Sequence, residues 1–274
     1  MAELWNSIIL DPILNSLIAL STVLYDNFGM SIIGLTVVVR VILSPLTIRQ
    51  TKSTKAMQSL QPKIQELQKK YGRNQQKLQQ EMMKLYKEAG INPLGCLWPM
   101  LIQLPIWIAL YQSIIRALAS TPENLIDLAK HLYSWSVVTQ AIPLNEQFLW
   151  LQLSKPDPYL ILAILVGGTM WAQQKMVTAP ATDPKQQSMT QMTTLMMPLM
   201  FGMFTLSFPS GLALYWVISN VIGILTQYFV TGGWGYLTLP TIFKPKPAPK
   251  TPVAEQQSKV VKKAYTKKKK GILG

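Results

Sequence analysis

Residues 32–50 read IIGLTVVVRVILSPLTIRQ, an apolar run long enough to cross a bilayer with Arg40 well inside it. A guanidinium stays charged in a protein. Holding one at membrane depth costs roughly 2.5–3.5 kcal/mol on insertion scales. Two arrangements offset that cost. Either Arg40 faces a wet cavity that receives something acidic, or it snorkels, its stem in lipid and its head in the interface. Gln50 lies ten residues further on, about 15 Å of helix at 1.5 Å per residue. That is a long reach for a snorkel, so the spacing favours the cavity.

The whole chain fits this stretch. Its 274 residues are 49% hydrophobic and carry a net charge of +14. The pairing is odd for a soluble protein and natural if apolar residues form spans and charges lie in the connections. Five spans are expected, at 28–50, 91–117, 158–177, 191–208 and 212–231. Residues 1–27 are interrupted by Asp11-Pro12 and by Asn6, Ser7, Asn15 and Ser16. They are expected to form an amphipathic helix lying on the outer face of the membrane. No Lys or Arg precedes Arg40, so a cleaved signal peptide is not expected.

Charge orients the spans. Ten basic residues, Arg49 to Lys87, face Glu66, Glu81 and Glu88 in the first connection, and ten lysines face Glu255 alone after span five. The 118–157 connection holds only Lys130 and Lys155 against four acids. By the positive-inside rule, the N-terminus and 118–157 are outside, while the first connection and the tail are in the cytosol.

Residues 51–90 alternate polar positions with Met57, Leu60, Ile64, Leu67 and Tyr71, then Leu78, Met82, Leu85 and Ala89. That 3–4 spacing predicts a cytosolic helical hairpin with a coiled-coil seam, either a solvated spacer or a docking arm. Pro62 kinks or starts its first helix. Residues 118–157, with Trp135 and Trp150, are expected as short interfacial helices. His131 is the lone histidine and Cys96 the lone cysteine. His131 is expected at the surface with no metal, and Cys96 as an apolar filler in no intrachain disulfide. Span three is followed by a short cytosolic loop, 178–190. Span four places Met189, Met192, Met196, Met200 and Met203 on one face. Such a stripe suits apolar partners of varied shape or ordinary packing. On span five, Trp216, Ser219 and Asn220 fall within about one turn and would line a wet cavity. The 232–274 tail, rich in Pro and Lys, is expected to be disordered and to meet anionic lipid or RNA phosphates by charge.

Several stretches together resemble the YidC/Oxa/Alb family of membrane protein insertases, in its shorter bacterial five-span kind. They are Arg40 with Ser44-Pro45-Leu46, Gln61-Pro62-Lys63-Ile64, Lys69-Lys70-Tyr71, Gly90-Ile91-Asn92-Pro93 with Gly95-Cys96, Gln103-Leu104-Pro105-Ile106 with Ala109-Leu110-Tyr111, and Phe208-Pro209-Ser210-Gly211-Leu212 with Leu214-Tyr215-Trp216 and Ser219-Asn220. The likeness covers roughly residues 20–232 and lacks the large periplasmic domain of six-span members. It implies an all-α polytopic membrane protein whose five transmembrane helices surround a hydrophilic groove. Arg40 would be the groove's fixed charge, with Gln173, Trp216, Ser219 and Asn220 lining it. Spans two and four would form a lipid-facing slide that includes Met192, Met196, Met200 and Met203.

The resemblance also implies nascent membrane protein clients in a bacterial plasma membrane. The basic tail would approach the ribosome, and the Sec translocon and targeting factors are further expected partners. No phosphate-binding loop, nucleophile with its base or metal cluster is legible. No cofactor, no specific small-molecule ligand and no bond-making enzyme chemistry are therefore expected. A small secondary transporter or channel for an anionic solute is the alternative, although no internal repeat supports it. A structural assembly partner of a larger translocon is the third possibility.

Overall fold

The computed structural model describes residues 2–72, 74–90, 97–118, 122–178, 188 and 190–237. All belong to one compact unit, Met1–Thr238. Cys96, Met189, most of the 178–190 connection and the tail from 238 lie outside the described residues.

The chain opens with α1 (Ala2–Trp5), which passes through a π-helical turn (Asn6–Leu10) into α2 (Asp11–Val23). Asp11-Pro12, expected to interrupt this segment, does not. Pro12 sits within this continuous helical run, directly after a wider turn in which the Asp11 N–H reaches Asn6 O. Leu10, Leu14, Leu17 and Ile18 are fully buried, and α2 packs on the next long helix and on the helix Leu97–Ala117. The stretch Glu3–Val23 is itself long and apolar enough to cross a membrane.

That long helix, α3 (Phe28–Ser59), is capped by Asn27, whose side chain accepts from the Met30 N–H. Its 32 residues reach about 48 Å, so it runs on past Gln50 to Ser59. The hairpin proper is α4 (Gln61–Tyr71) and α5 (Gln75–Glu88), which pack on each other. Pro62 sits in the first turn of α4 and Asn74 caps α5. There follow α6 (Leu97–Ala117), α7 (Pro122–His131) and α8 (Ser136–Thr139). A two-stranded antiparallel hairpin, β1 (Gln147–Phe148) and β2 (Leu151–Gln152), comes next. This hairpin departs from the all-helical expectation for 118–157. Leu149 adopts a left-handed φ of 55° and turns the chain, and Phe148 lies over Gly29, where a Cβ would meet its ring at 2.3 Å. His131 is not a plain surface residue: its Nδ1 lies 2.8 Å from Asp11 Oδ1.

The last helices are α9 (Ile161–Val177), α10 (Met197–Phe204), entered through a second π turn (Met192–Met196), and α11 (Ser210–Thr231). Orphan donors at the start of α11 are met by backbone: Ser210 N–H donates to Lys155 O at 2.7 Å and Gly211 N–H to Leu153 O at 3.1 Å. A Cβ on Gly211 would stand 3.1 Å from Ile32 and 3.3 Å from Ile114, so α3, α6 and α11 converge there around Phe28, Leu110 and Leu212. At the other end α3 reaches across two helix C-termini. Lys55 Nζ donates to Thr231 O at 3.1 Å, and Gln58 Nε2 donates to Val177 O.

Exposed apolar side chains cover the outward faces, among them Val37, Val41 and Ile42 on α3, Leu101 and Ile108 on α6, and Leu195 and Leu199 beside α10. An apolar surface of this extent belongs against lipid. Phe28–Ser59 and Ser210–Thr231 are long and apolar enough to span a bilayer, whereas Leu101–Ala117 and Met192–Phe204 are apolar but shorter. In lipid, helices associate through close packing at small residues. A Cβ on Gly202 would stand 3.0 Å from Ala163 O and 3.7 Å from the Gly167 Cα. The backbones of α9 and α10 therefore touch here. Gly202→Val is expected to destabilise the protein by about 1–3 kcal/mol, while Gly168→Ala, with nothing near the new Cβ, leaves the midpoint unchanged. Thermal unfolding in detergent micelles checks both.

Candidate functional site

One face of α3 is polar along most of its length. Thr36, Arg40, Ser44, Thr47, Thr51, Thr54 and Gln58 recur at steps of three or four, the spacing of a single helical face. This face turns toward α9 and α11, both of which pack on or near α3, and α11 packs directly on it.

Arg40 is half-buried. Its Nε donates to Ser219 Oγ at 3.3 Å, across from α3 to α11. Among the described residues the ion pairs are Lys84–Glu81 and Arg116–Asp127, beside the His131–Asp11 hydrogen-bonded pair, so no described carboxylate neutralises Arg40. The last two pairs belong to the α7 side of the protein. There Arg116 Nε donates to Asp127 Oδ2 at 3.1 Å and holds that carboxyl below the usual carboxylate range.

Between Arg40 and the hairpin end, a cavity of about 290 Å³ opens among the three helices. Thr47, Gln50, Thr51 and Thr54 line it from α3, Gln173 and Gln174 from α9, and Asn220 and Gln227 from α11. Thr47 lies about 10 Å along the helix from Arg40. Two local devices shape the wall. Thr47 and Thr51 donate their hydroxyl protons to Leu43 O and Thr47 O, which turns oxygen lone pairs outward. Gly223 leaves room for Gln173 against α11, because a Cβ there would fall 2.4 Å from Gln173 Nε2. Asn220 Nδ2 donates to Thr169 Oγ1 at 3.2 Å. Gln227 Nε2 is buried with no partner among the described residues.

The candidates from sequence thus divide. Arg40 and Ser219 meet directly, and Gln173 and Asn220 line the polar cavity. Trp216 does not join them there. It packs at 6.0 Å from Trp107, 5.7 Å from Phe201 and 6.0 Å from Phe208, an aromatic layer one turn from Ser219. Met192, Met196, Met200 and Met203 are all exposed on one outward face. Met203 also borders an apolar groove of about 460 Å³ between α9 and α10. Thr47, Thr51, Thr54, Gln174 and Gln227 were not singled out from the sequence. The signal that finds them is the helical period of small polar residues in helices that otherwise read as apolar.

Cysteine labelling tests whether this polar cavity admits water. With Cys96 first replaced by Ser, Thr54→Cys and Gln174→Cys are expected to react with a membrane-impermeant maleimide added on the hairpin side. Trp216→Cys, in the aromatic layer, is expected to stay unlabelled.

The description 60Kd inner membrane protein belongs to the family model that matches residues 19–234. The chain is 42% identical over 230 residues to a membrane protein insertase YidC of Actinobacillus succinogenes, covering 84% of this chain and 38% of that protein. A membrane protein insertase YidC of Pasteurella multocida is 44% identical over 209 residues, 76% of this chain and 34% of the other. The chain thus spans less than two fifths of the length of these relatives. A membrane protein insertase YidC 2 of Bacillus anthracis is 38% identical over 234 residues, 84% of this chain and 82% of its own length. Among solved structures, an active YidC insertase with its first transmembrane domain resolved aligns with a TM-score of 0.53 at 28% identity, over 75% of this chain and 42% of that one.

Proposed function

The chain belongs to the 60Kd inner membrane protein family, that of the YidC insertases, and from that premise we propose that it inserts client transmembrane segments into the bacterial plasma membrane and helps them fold. It works without bond-making chemistry. In this proposal five helices span the bilayer: α3, α6, α9, the helix through α10, and α11. The helix Ala2–Val23 lies on the outer face, the α4–α5 hairpin and the tail are cytosolic, and the N-terminus is outside. The charge distribution supports that orientation, with ten basic residues between Arg49 and Lys87.

The observation that carries the mechanism is Arg40, hydrogen-bonded to Ser219 and unpaired with any described carboxylate, beside a cavity of neutral polar groups. An acidic client segment gains there what Arg40 lacks. Two unit charges 4 Å apart attract by about 4 kcal/mol at an effective dielectric of 20. The wet cavity shortens the apolar path that the segment must cross. Release follows when the client's own helix enters lipid, worth about 25 cal/mol per Å² of apolar surface buried. The exposed Met192, Met196, Met200 and Met203 face would guide it, since unbranched thioether side chains fit varied partners. The hairpin would receive clients or targeting factors, the tail would approach the ribosome, and the Sec translocon is a further partner.

The test is insertion of a short, N-out, single-span client into liposomes that hold only this protein. Arg40→Ala is expected to slow insertion of a client with an acidic tail at least tenfold, Arg40→Lys to retain much of the rate, and a neutral tail to be affected less. Equal insertion by all three would refute the charge mechanism. No insertion by the wild type would refute autonomous action.

A further inference from the structure

Among the described residues, the lining of the cavity below Arg40 contains no charged residue. On the insertase reading, the charge of an acidic client segment meets Arg40, and neutral groups hold the chain that follows it. Three features of the lining bear on that. First, Gln227 is 5% exposed, borders the cavity, and its Nε2 donor has no partner among the described residues. A buried donor left without an acceptor is costly, so this one expects an oxygen. Second, the Thr47 and Thr51 hydroxyls give their protons to their own helix, which leaves them as acceptors toward the cavity. Third, Thr47 to Thr54 covers about 10 Å of α3, the length of three extended residues.

One ligand offers neutral donors and acceptors in alternation whatever its sequence. A polypeptide backbone carries one N–H and one C=O per residue. We propose that the neutral cavity is a backbone-binding subsite for about three extended client residues, with Gln227 donating to a client carbonyl and Thr47 and Thr51 accepting client N–H groups. Charge selection resides at Arg40, and sequence-blind holding resides here. The proposal rests on the insertase reading and adds a substrate class to one part of the site.

The same liposome assay separates the two, using clients with acidic, Gly/Ser and all-Pro tails of equal length. Proline keeps the carbonyl and lacks the N–H. Gln227→Leu is expected to slow all three tails by the same factor, about fivefold for one neutral hydrogen bond. Thr51→Val is expected to slow the acidic and Gly/Ser tails and to spare the Pro tail. A structural role for Thr51 would slow every tail alike, and that result overturns the proposal. So does an effect of Gln227→Leu that follows tail charge. If Gln227→Leu changes nothing, the cavity holds water only and the proposal falls while the insertase stands. If the wild type inserts no client, the insertase reading fails and the subsite falls with it.

Discussion

A positive charge that cannot be neutralised, placed in a helix whose other faces are apolar, constrains everything around it. Arg40 sits on α3 between Val39 and Val41, and Val37, Val38, Val41 and Ile42 turn outward. The charge is best tolerated on the opposite side, and that side is polar. Ser219 on α11 supplies the contact, and the Thr–Gln cavity supplies the setting. Bringing three helices around a cavity requires close approach elsewhere. Gly202 against Ala163 and Gly167 draws α9 and α10 together, and Gly211 lets α3, α6 and α11 meet.

The same α3 face organises the far end of the site. Beyond the cavity, Lys55 and Gln58 donate to carbonyls at the ends of α11 and α9, groups that helix termini otherwise leave unsatisfied. The stripe therefore has three uses along one helix: charge at Arg40, neutral polarity at Thr47 to Thr54, and capping at Gln58, with Lys55 beside it. Because α3 is continuous to Ser59, the hairpin α4–α5 is rooted directly on the helix that carries Arg40.

Much of this was legible in the sequence, and the limits have physical causes. Arg40 stands out because no other charge interrupts an apolar run of that length. The spacing alone puts the Met residues on one face, while their outward exposure shows only in the packed helices. The cavity lining did not stand out, since single Thr and Gln residues in an apolar helix change its hydropathy little, and only three helices packed together show that they face one another. Trp216 falls near Ser219 along the chain, yet an indole is large and finds its partners in Trp107, Phe201 and Phe208. The helix runs through Asp11-Pro12 because the chain widens into a π turn just before the proline. The β1–β2 hairpin has two residues per strand, too few for alternation to register.

The central claim is that the Arg40 face of α3 is wet at a depth where the opposite face is lipid. Ser44 lies one turn from Arg40 on its face, and Ile42, two residues away at nearly the same depth, is 67% exposed on the other. Spin labels at these two positions, in bilayers hydrated with deuterated water, report local water through the deuterium modulation of the electron spin echo. Strong modulation at position 44 with weak modulation at 42 is the predicted result. Equally weak modulation at both would contradict the account, because Arg40 would then stand in a dry site.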